Sequence, residues 1–149
     1  MMGWDIRLLK ATIFNSGDQP YEATNLRQIG KAVASTLLHP LETKNKYIYI
    51  HSFTLTQNKV LAALEKALGK KWEVTRSSVK EISASGHEHL RKGNEFYGLA
   101  ETVTAAVYGY GNANNFGEKA LVWNKVLGLP EEDLDTTIGA IAEKKRVQT

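Results

Sequence analysis

Apolar and polar positions along this chain switch between a strand period and a helix period several times. Leu8 to Phe14 is apolar and β-branched enough for a strand, and Asn15-Ser16-Gly17-Asp18 supplies turn residues before Tyr21-Glu22-Ala23, so this region predicts a hairpin. With Thr24 or Asn25 as a cap, Leu26, Ile29, Val33 and Leu37 recur at helical spacing until Pro40. That stripe predicts a helix with one buried face.

Tyr47 to Ile50 is a short continuous apolar run, the pattern of a strand covered on both faces in a parallel sheet. Thr54-x-x-Gln57 has the form of a capping box, Val60, Leu61, Leu64 and Leu68 make the apolar stripe of a helix, and Gly69 is placed to end it. Trp72-Glu73-Val74-Thr75 then alternates like another strand. Strand, helix and strand in that order predict a right-handed βαβ unit.

Beyond Val79 the pattern is mainly helical, with expected breaks at Gly86, Gly93, the Gly109 to Gly117 segment and Gly128. The last helix is expected to carry Pro130 in its first turn, Glu131, Glu132 and Asp133 at its positive end, and Leu134, Ile138 and Ile141 as a stripe. No internal repeat or low-complexity tract divides the chain.

Composition narrows the picture in three ways. At 149 residues and 42% hydrophobic, the chain is sized for one domain with a modest core. Zero cysteines exclude a disulfide framework, thiolate metal sites and a cysteine nucleophile, and make a cytoplasmic setting the simplest expectation. No basic leader and no apolar run of spanning length is visible, so a soluble protein without membrane contact is expected. The net charge of +3 is spread among acids rather than gathered in a stripe, which argues against a nucleic-acid partner. Lys144-Lys145-Arg146 is the only local basic cluster, placed where a helix C-terminus favours cations.

Candidate chemistry is sparse. Gly109-Tyr110-Gly111-Asn112-Ala113-Asn114 imitates the start of a dinucleotide fingerprint, but the third glycine is absent and the segment follows a helical run, whereas a pyrophosphate loop leaves a strand and opens a helix. His39, His51, His87 and His89 include no His-x-x-x-His pair, and no carboxylate pattern completes a metal set, so they are read as solvated or capping side chains. No Tyr-x-x-x-Lys pair and no Gly-x-Ser-x-Gly elbow occurs. No catalytic set is identifiable.

The run Asn45-Lys46-Tyr47-Ile48-Tyr49-Ile50, continued by Ser52-Phe53-Thr54-Leu55-Thr56-Gln57-Asn58 and Val60 to Leu64, resembles the C-terminal half of the NmrA-like, isoflavone-reductase-like family, most of all its fungal oxidoreductase-like members. Ala11-Thr12-Ile13-Phe14 and Leu127-Gly128-Leu129-Pro130-Glu131-Glu132-Asp133-Leu134 extend the resemblance over nearly the whole chain. Arg27-Gln28-Ile29-Gly30 is similar to the family's Asp-Ile-Gly segment with Gln28 in place of the acid, and Gly111 to Phe116 to its Gly-Asp-x-x-x-Phe segment with Asn112 in place of the acid.

The resemblance implies a helix-rich α/β fold tending to α+β: the C-terminal part of a Rossmann-type fold with a hairpin, a βαβ unit and a helical subdomain. Residues 1–149 would then be a single partial domain. It also implies that NAD(P), which the family binds on a glycine loop upstream of anything present here, does not bind this chain alone, and that no lysine here inherits the family's catalytic lysine. By the resemblance, Tyr108, Tyr110, Asn112 and Phe116 fall in or beside the segment that in that family faces the substrate cleft. The function so implied is the substrate-side portion of an NAD(P)-dependent oxidoreductase, inactive alone, meeting its small-molecule substrate only as part of a longer protein. The alternatives are an NmrA-like redox-sensing or regulatory binding protein and a truncated remnant. An open sheet edge left by a missing half would favour self-association or a protein partner.

Overall fold

The computed structural model describes residues 3–109, 111, 114–118 and 121–147. It is mixed α/β and about half helical, with two small sheets. Strand β2 (Lys10–Phe14) lies between β1 (Trp4–Asp5), which is antiparallel to it, and β5 (Glu73–Ser77), which is parallel from Lys10 opposite Glu73 to Phe14 opposite Ser77. Strands β3 (Tyr21–Ala23) and β4 (Phe53–Leu55) pair antiparallel in a separate sheet.

The expected hairpin between Leu8 to Phe14 and Tyr21 to Ala23 is therefore not formed. The turn exists, with Asn15 and Gly17 at positive φ, but both sides of β2 are already occupied. β5 takes one side. The other is shared by β1 and, beyond its end, by the amide of Gln57, whose Oε1 accepts from the Phe14 N–H at 2.9 Å and whose Nε2 donates to the Thr12 carbonyl at 3.0 Å. A side chain thus completes the ladder where a strand stops, and β3 pairs elsewhere.

That use of Gln57 also corrects the capping expectation. Helix α3 (Gln57–Leu68) is capped by Thr56, whose hydroxyl accepts from the Lys59 N–H, while Gly69 ends it at φ 62° as expected. The capping box stands instead at helix α4 (Val79–Arg91), where Ser78 and Glu81 satisfy each other's backbone N–H groups. Gly86 does not break α4. It is buried inside the helix where α4 meets α5 (Glu95–Tyr108), and a Cβ there would lie 2.8 Å from Thr102 Oγ1 and 3.1 Å from the Gly98 carbonyl. Gly93, at φ 77°, makes the turn between the two helices.

Tyr47 to Ile50 is not a buried strand. Tyr47 is exposed, and only Tyr49 makes a bridge, parallel to Val122, with its carbonyl accepting from the Trp123 N–H at 2.8 Å. A double-sided parallel strand needs a neighbour on each edge, and Val122 is the only one among the described residues. The expected βαβ unit built on that run is accordingly absent: β4, α3 and β5 follow one another, but β4 and β5 belong to different sheets.

Helix α1 (Leu26–Leu38) runs into the short α2 (Pro40–Thr43) and departs most from expectation. Its buried residues are Gln28 and Ala32, whereas Leu26, Ile29, Val33 and Leu37 are all exposed, Leu26 to 87%. Helix α6 (Leu134–Val147) starts at Leu134, so Pro130 to Asp133 precede it. Asp133 accepts from the Thr136 N–H at 2.7 Å, and Ile138 and Ala142 are buried, while Ile141 is exposed.

Three apolar clusters result. Ala11, Ile13, Leu64, Trp72 and Ile138 form the first, and Phe14, Tyr21, Leu55 and Tyr108 the second, both resting on α3 and β2. Ala32, Trp123 and Leu127 form the third, with Ile48, Ile50 and Leu129 packed against it. Among the described residues no helix is long and apolar enough to cross a membrane.

Candidate functional site

The segment from Tyr21 to the loop after Trp123 brings together residues that are far apart in sequence. Strand pairing sets Glu22 opposite Thr54, and the backbone of β4 continues back through Ser52, whose N–H donates to the Ala23 carbonyl at 2.8 Å, to His51. The Glu22 side chain is only 2% exposed. A carboxylate so buried must be satisfied by donors. His51 Nδ1 contacts Oε2, the Thr54 hydroxyl donates to the same oxygen at 2.9 Å, and the Gly117 N–H donates to Oε1 at 3.2 Å.

His51 is held from its backbone as well. Its N–H donates to Asn124 Oδ1 at 3.2 Å and its carbonyl accepts from Asn124 Nδ2 at 2.6 Å, a two-point clamp from a loop 73 positions away. With Nδ1 turned to Glu22, Nε2 is the ring nitrogen left without a partner among the described residues. An acid that accepts from Nδ1–H leaves Nε2 as the lone-pair nitrogen of the neutral ring.

His51 lines a cavity of about 640 Å³ together with Ser52, Asn124, Leu129, Pro130 and Glu132. That volume lies in the range of small-molecule sites, as does the mixture of a few polar groups with apolar walls. A second network holds Glu132: Ser52 Oγ donates to Glu132, and Asn25 Nδ2 donates to the same carboxylate at 3.1 Å and to Thr137 Oγ1 at 3.2 Å. The Asn25 side chain, one of the two caps expected for α1 beside Thr24, is spent on this network and makes no cap bond. Gln28 Nε2 donates to the Pro130 carbonyl at 2.8 Å and holds the loop that carries Glu131 and Glu132 against α1.

The residues singled out in the sequence are dispersed. Phe116 lies beside the pair, its ring 5.2 Å from Tyr49 and 6.3 Å from His51. Tyr108 is 2% exposed in the second cluster, stacked on Phe14 at 5.5 Å and edge-on to Tyr21 at 5.3 Å. Burial pushes the phenols of both Tyr21 and Tyr108 up from their ordinary value, so neither ionises near neutral pH. Tyr110 and Asn112 lie outside the described residues.

The four histidines divide, and His87 is exposed on α4. His39 follows the capping reading, ending α1 with Nδ1 2.8 Å from the Ser35 carbonyl, and His89 Nδ1 sits 3.1 Å from Glu101. His51 overturns the reading as a solvated or capping residue. Its partner was visible only as an acid inside the strand-like Tyr-Glu-Ala, and nothing local in the sequence joins that acid to a histidine 29 positions on.

A dinucleotide cradle is not among these features. It needs a strand, a glycine turn and a helix N-terminus in succession. Among the described residues, Gly109 instead follows α5, and a 3-10 turn stands at Phe116–Glu118. No group of three or more potential metal ligands occurs among them either.

The comparisons with known proteins match the chain almost from end to end. It is 31% identical over 147 residues to the oxidoreductase poxI of Penicillium oxalicum, covering 96% of this chain and 46% of that protein. It is 33% identical over 142 residues to the oxidoreductase aprR of Aspergillus flavus, covering 94% of this chain and 47% of that protein. No family model matches the chain, and no solved structure matches it significantly. The chain is thus similar to fungal proteins named as oxidoreductases, and it spans about half the length of these curated relatives.

Proposed function

We propose that these residues form the substrate-side portion of an NmrA-like, NAD(P)-dependent oxidoreductase, with the cofactor held by residues outside the 149 and no redox activity in the chain alone. The observation that carries this reading is the extent of the similarity: nearly all of the chain matches oxidoreductases about twice its length. The surface agrees with it. The exposed stripe of α1 and the half-buried Ile48 and Ile50 border an open apolar cavity of about 430 Å³, beside a segment that is bridged on one edge only among the described residues. An apolar face beside an unpaired backbone edge suits further parallel strands and helices of a longer chain.

Titrating NADPH and NADH into the 149-residue chain, followed by nucleotide fluorescence, tests the division of labour. No saturation is expected; micromolar binding of either nucleotide would overturn it. Sequencing the native transcript supplies the complementary check, with an in-frame strand, glycine loop and helix expected upstream of Met1.

A further inference from the structure

The outer face of α1 is apolar along its length and left uncovered by the described residues. Leu26, Ile29, Val33 and Leu37 recur on one side of the helix, and Leu38, Leu41 and Tyr47 follow, all exposed, Leu41 to 93%. Gly30 stands in the middle of that stripe. A glycine inside a helix weakens it relative to alanine, and the usual reasons for one are a positive φ or a close neighbour. Gly30 has neither: its φ is not positive, and a Cβ built there would meet nothing within 4 Å. Gly86, by contrast, is the contact that lets α5 approach α4. The gap over Gly30 has room for a helix that the described residues do not supply.

Charge selects the occupant. Between Leu26 and Thr43 the only lysine or arginine residues are Arg27 and Lys31, both exposed in the N-terminal half, and the only acid is Glu42, exposed at the other end. Arg27 lies in the first turn of α1, where the helix dipole disfavours a cation, and no acid in that turn offsets it. A second copy laid antiparallel along the stripe brings its C-terminal end and its Glu42 toward Arg27 and Lys31, and symmetry repeats the match. A parallel copy would set the cations of the two chains side by side.

We propose that in the 149-residue chain this face is the interface of a two-fold dimer, in which α1 of one copy packs antiparallel on α1 of the other. With the axis near Val33, Gly30 of each copy receives Leu37 of the other. The patch thus carries both the gap and the side chain that fills it, as a self-complementary interface must. The open cavity of about 430 Å³ beside the helix, lined by Ile29, Val33, Ile48 and Ile50, widens the apolar contact beyond the two helices. Packing a second copy here needs no nucleotide, so the dimer stands or falls apart from the oxidoreductase reading.

Sedimentation velocity of the 149-residue chain across the micromolar range should show a monomer–dimer equilibrium with no larger species. Gly30→Leu separates a fitted interface from a merely sticky one. A larger apolar patch associates more strongly when contact is unspecific, but in this dimer the new side chain fills the gap that Leu37 needs and should weaken association by about tenfold or more. The chain has no cysteine, so single replacements read the orientation. Under mild oxidation Ala34→Cys, next to the axis, should form a disulfide-linked dimer; Arg27→Cys alone should not, and Arg27→Cys mixed with Glu42→Cys should. Circular dichroism confirms that each variant folds. A monomer at every concentration, growth into larger species, association that Gly30→Leu leaves unchanged or strengthens, and any departure from that cross-linking pattern would each overturn the proposal. Nucleotide titration moves none of these readouts, so failure here and failure of the oxidoreductase reading are told apart.

Discussion

Helices α1 and α3 carry apolar stripes of the same quality, yet one stripe is buried and the other faces solvent. On α3, Leu64 is 3% exposed and Val60, Leu61 and Leu68 pack against the first cluster. On α1, Ile29, Val33 and Leu37 stand out, and the helix docks through Gln28 and Ala32. Each helix also buries one glutamine beneath it, Gln57 with both ends of its amide paired and Gln28 with Oε1 unpartnered among the described residues. An amphipathic pattern states that a face requires cover; it does not state that the cover lies within the same 149 residues.

The sharpest way to break this comparison is truncation of matching residues on the two stripes. Leu64→Ala removes a side chain enclosed by Ala11, Ile13, Trp72 and Ile138, and should cost about 2–5 kcal/mol, read as a fall in the urea midpoint without a change in slope. A cost below about 1 kcal/mol would place the first cluster outside the cooperative core.

The paired glutamines offer the next test. Gln57→Ala leaves the Phe14 N–H and the Thr12 carbonyl without their partner at the end of β2, and should destabilise by about 1–3 kcal/mol. Gln28→Leu removes an amide already half unsatisfied and leaves only the Pro130 carbonyl open, so its cost should be clearly smaller in the same urea titration. Equal costs would mean that the two glutamines do equivalent work.

These two helices also mark how far the sequence could be read. Element type followed from period: α1, α3, the pair α4 and α5, and the strands at Lys10–Phe14 and Glu73–Ser77 lie where apolar spacing places them, and Gly69 ends its helix as left-handed glycine does. Pairing did not follow, because it was decided by competition for the edges of β2, and a glutamine side chain won one of them. The site was least legible. Its acid, its histidine and the asparagine that clamps the histidine sit at positions 22, 51 and 124, joined only by the β3–β4 register and one loop. Gly86 teaches the same lesson on a small scale, since a glycine read as a stop is the contact that lets α5 approach.

Alkaline pH separates the two sides by charge. Tyr21 and Tyr108 belong to the cluster on which α3 rests through Val60, and burial raises the pKa of both. Above pH about 10 the unfolded chain loses these protons while the folded one keeps them. The native state then binds more protons, and stability falls as pH rises, by up to about 1.4 kcal/mol per pH unit for each tyrosine. Tyr21→Phe should flatten this slope in urea midpoints measured across that range. An unchanged slope would show that Tyr21 ionises freely in the folded state.

The smallest expected effect bears most directly on why α1 differs. Val33→Ser on the exposed stripe should change the folding stability of the 149-residue chain by no more than about 0.5 kcal/mol, because its side chain gives up little burial on unfolding. The same substitution should reduce concentration-dependent association in sedimentation velocity, since it interrupts an apolar surface that runs from Ile29 to Leu37 and borders Ile48 and Ile50. If stability instead dropped by as much as for Leu64→Ala, the stripe would be covered within the monomer and the contrast between the helices would vanish. If stability held and association did not change, the stripe would be a solvated surface, and the case for a missing covering layer would rest on the open edge at Tyr49 alone.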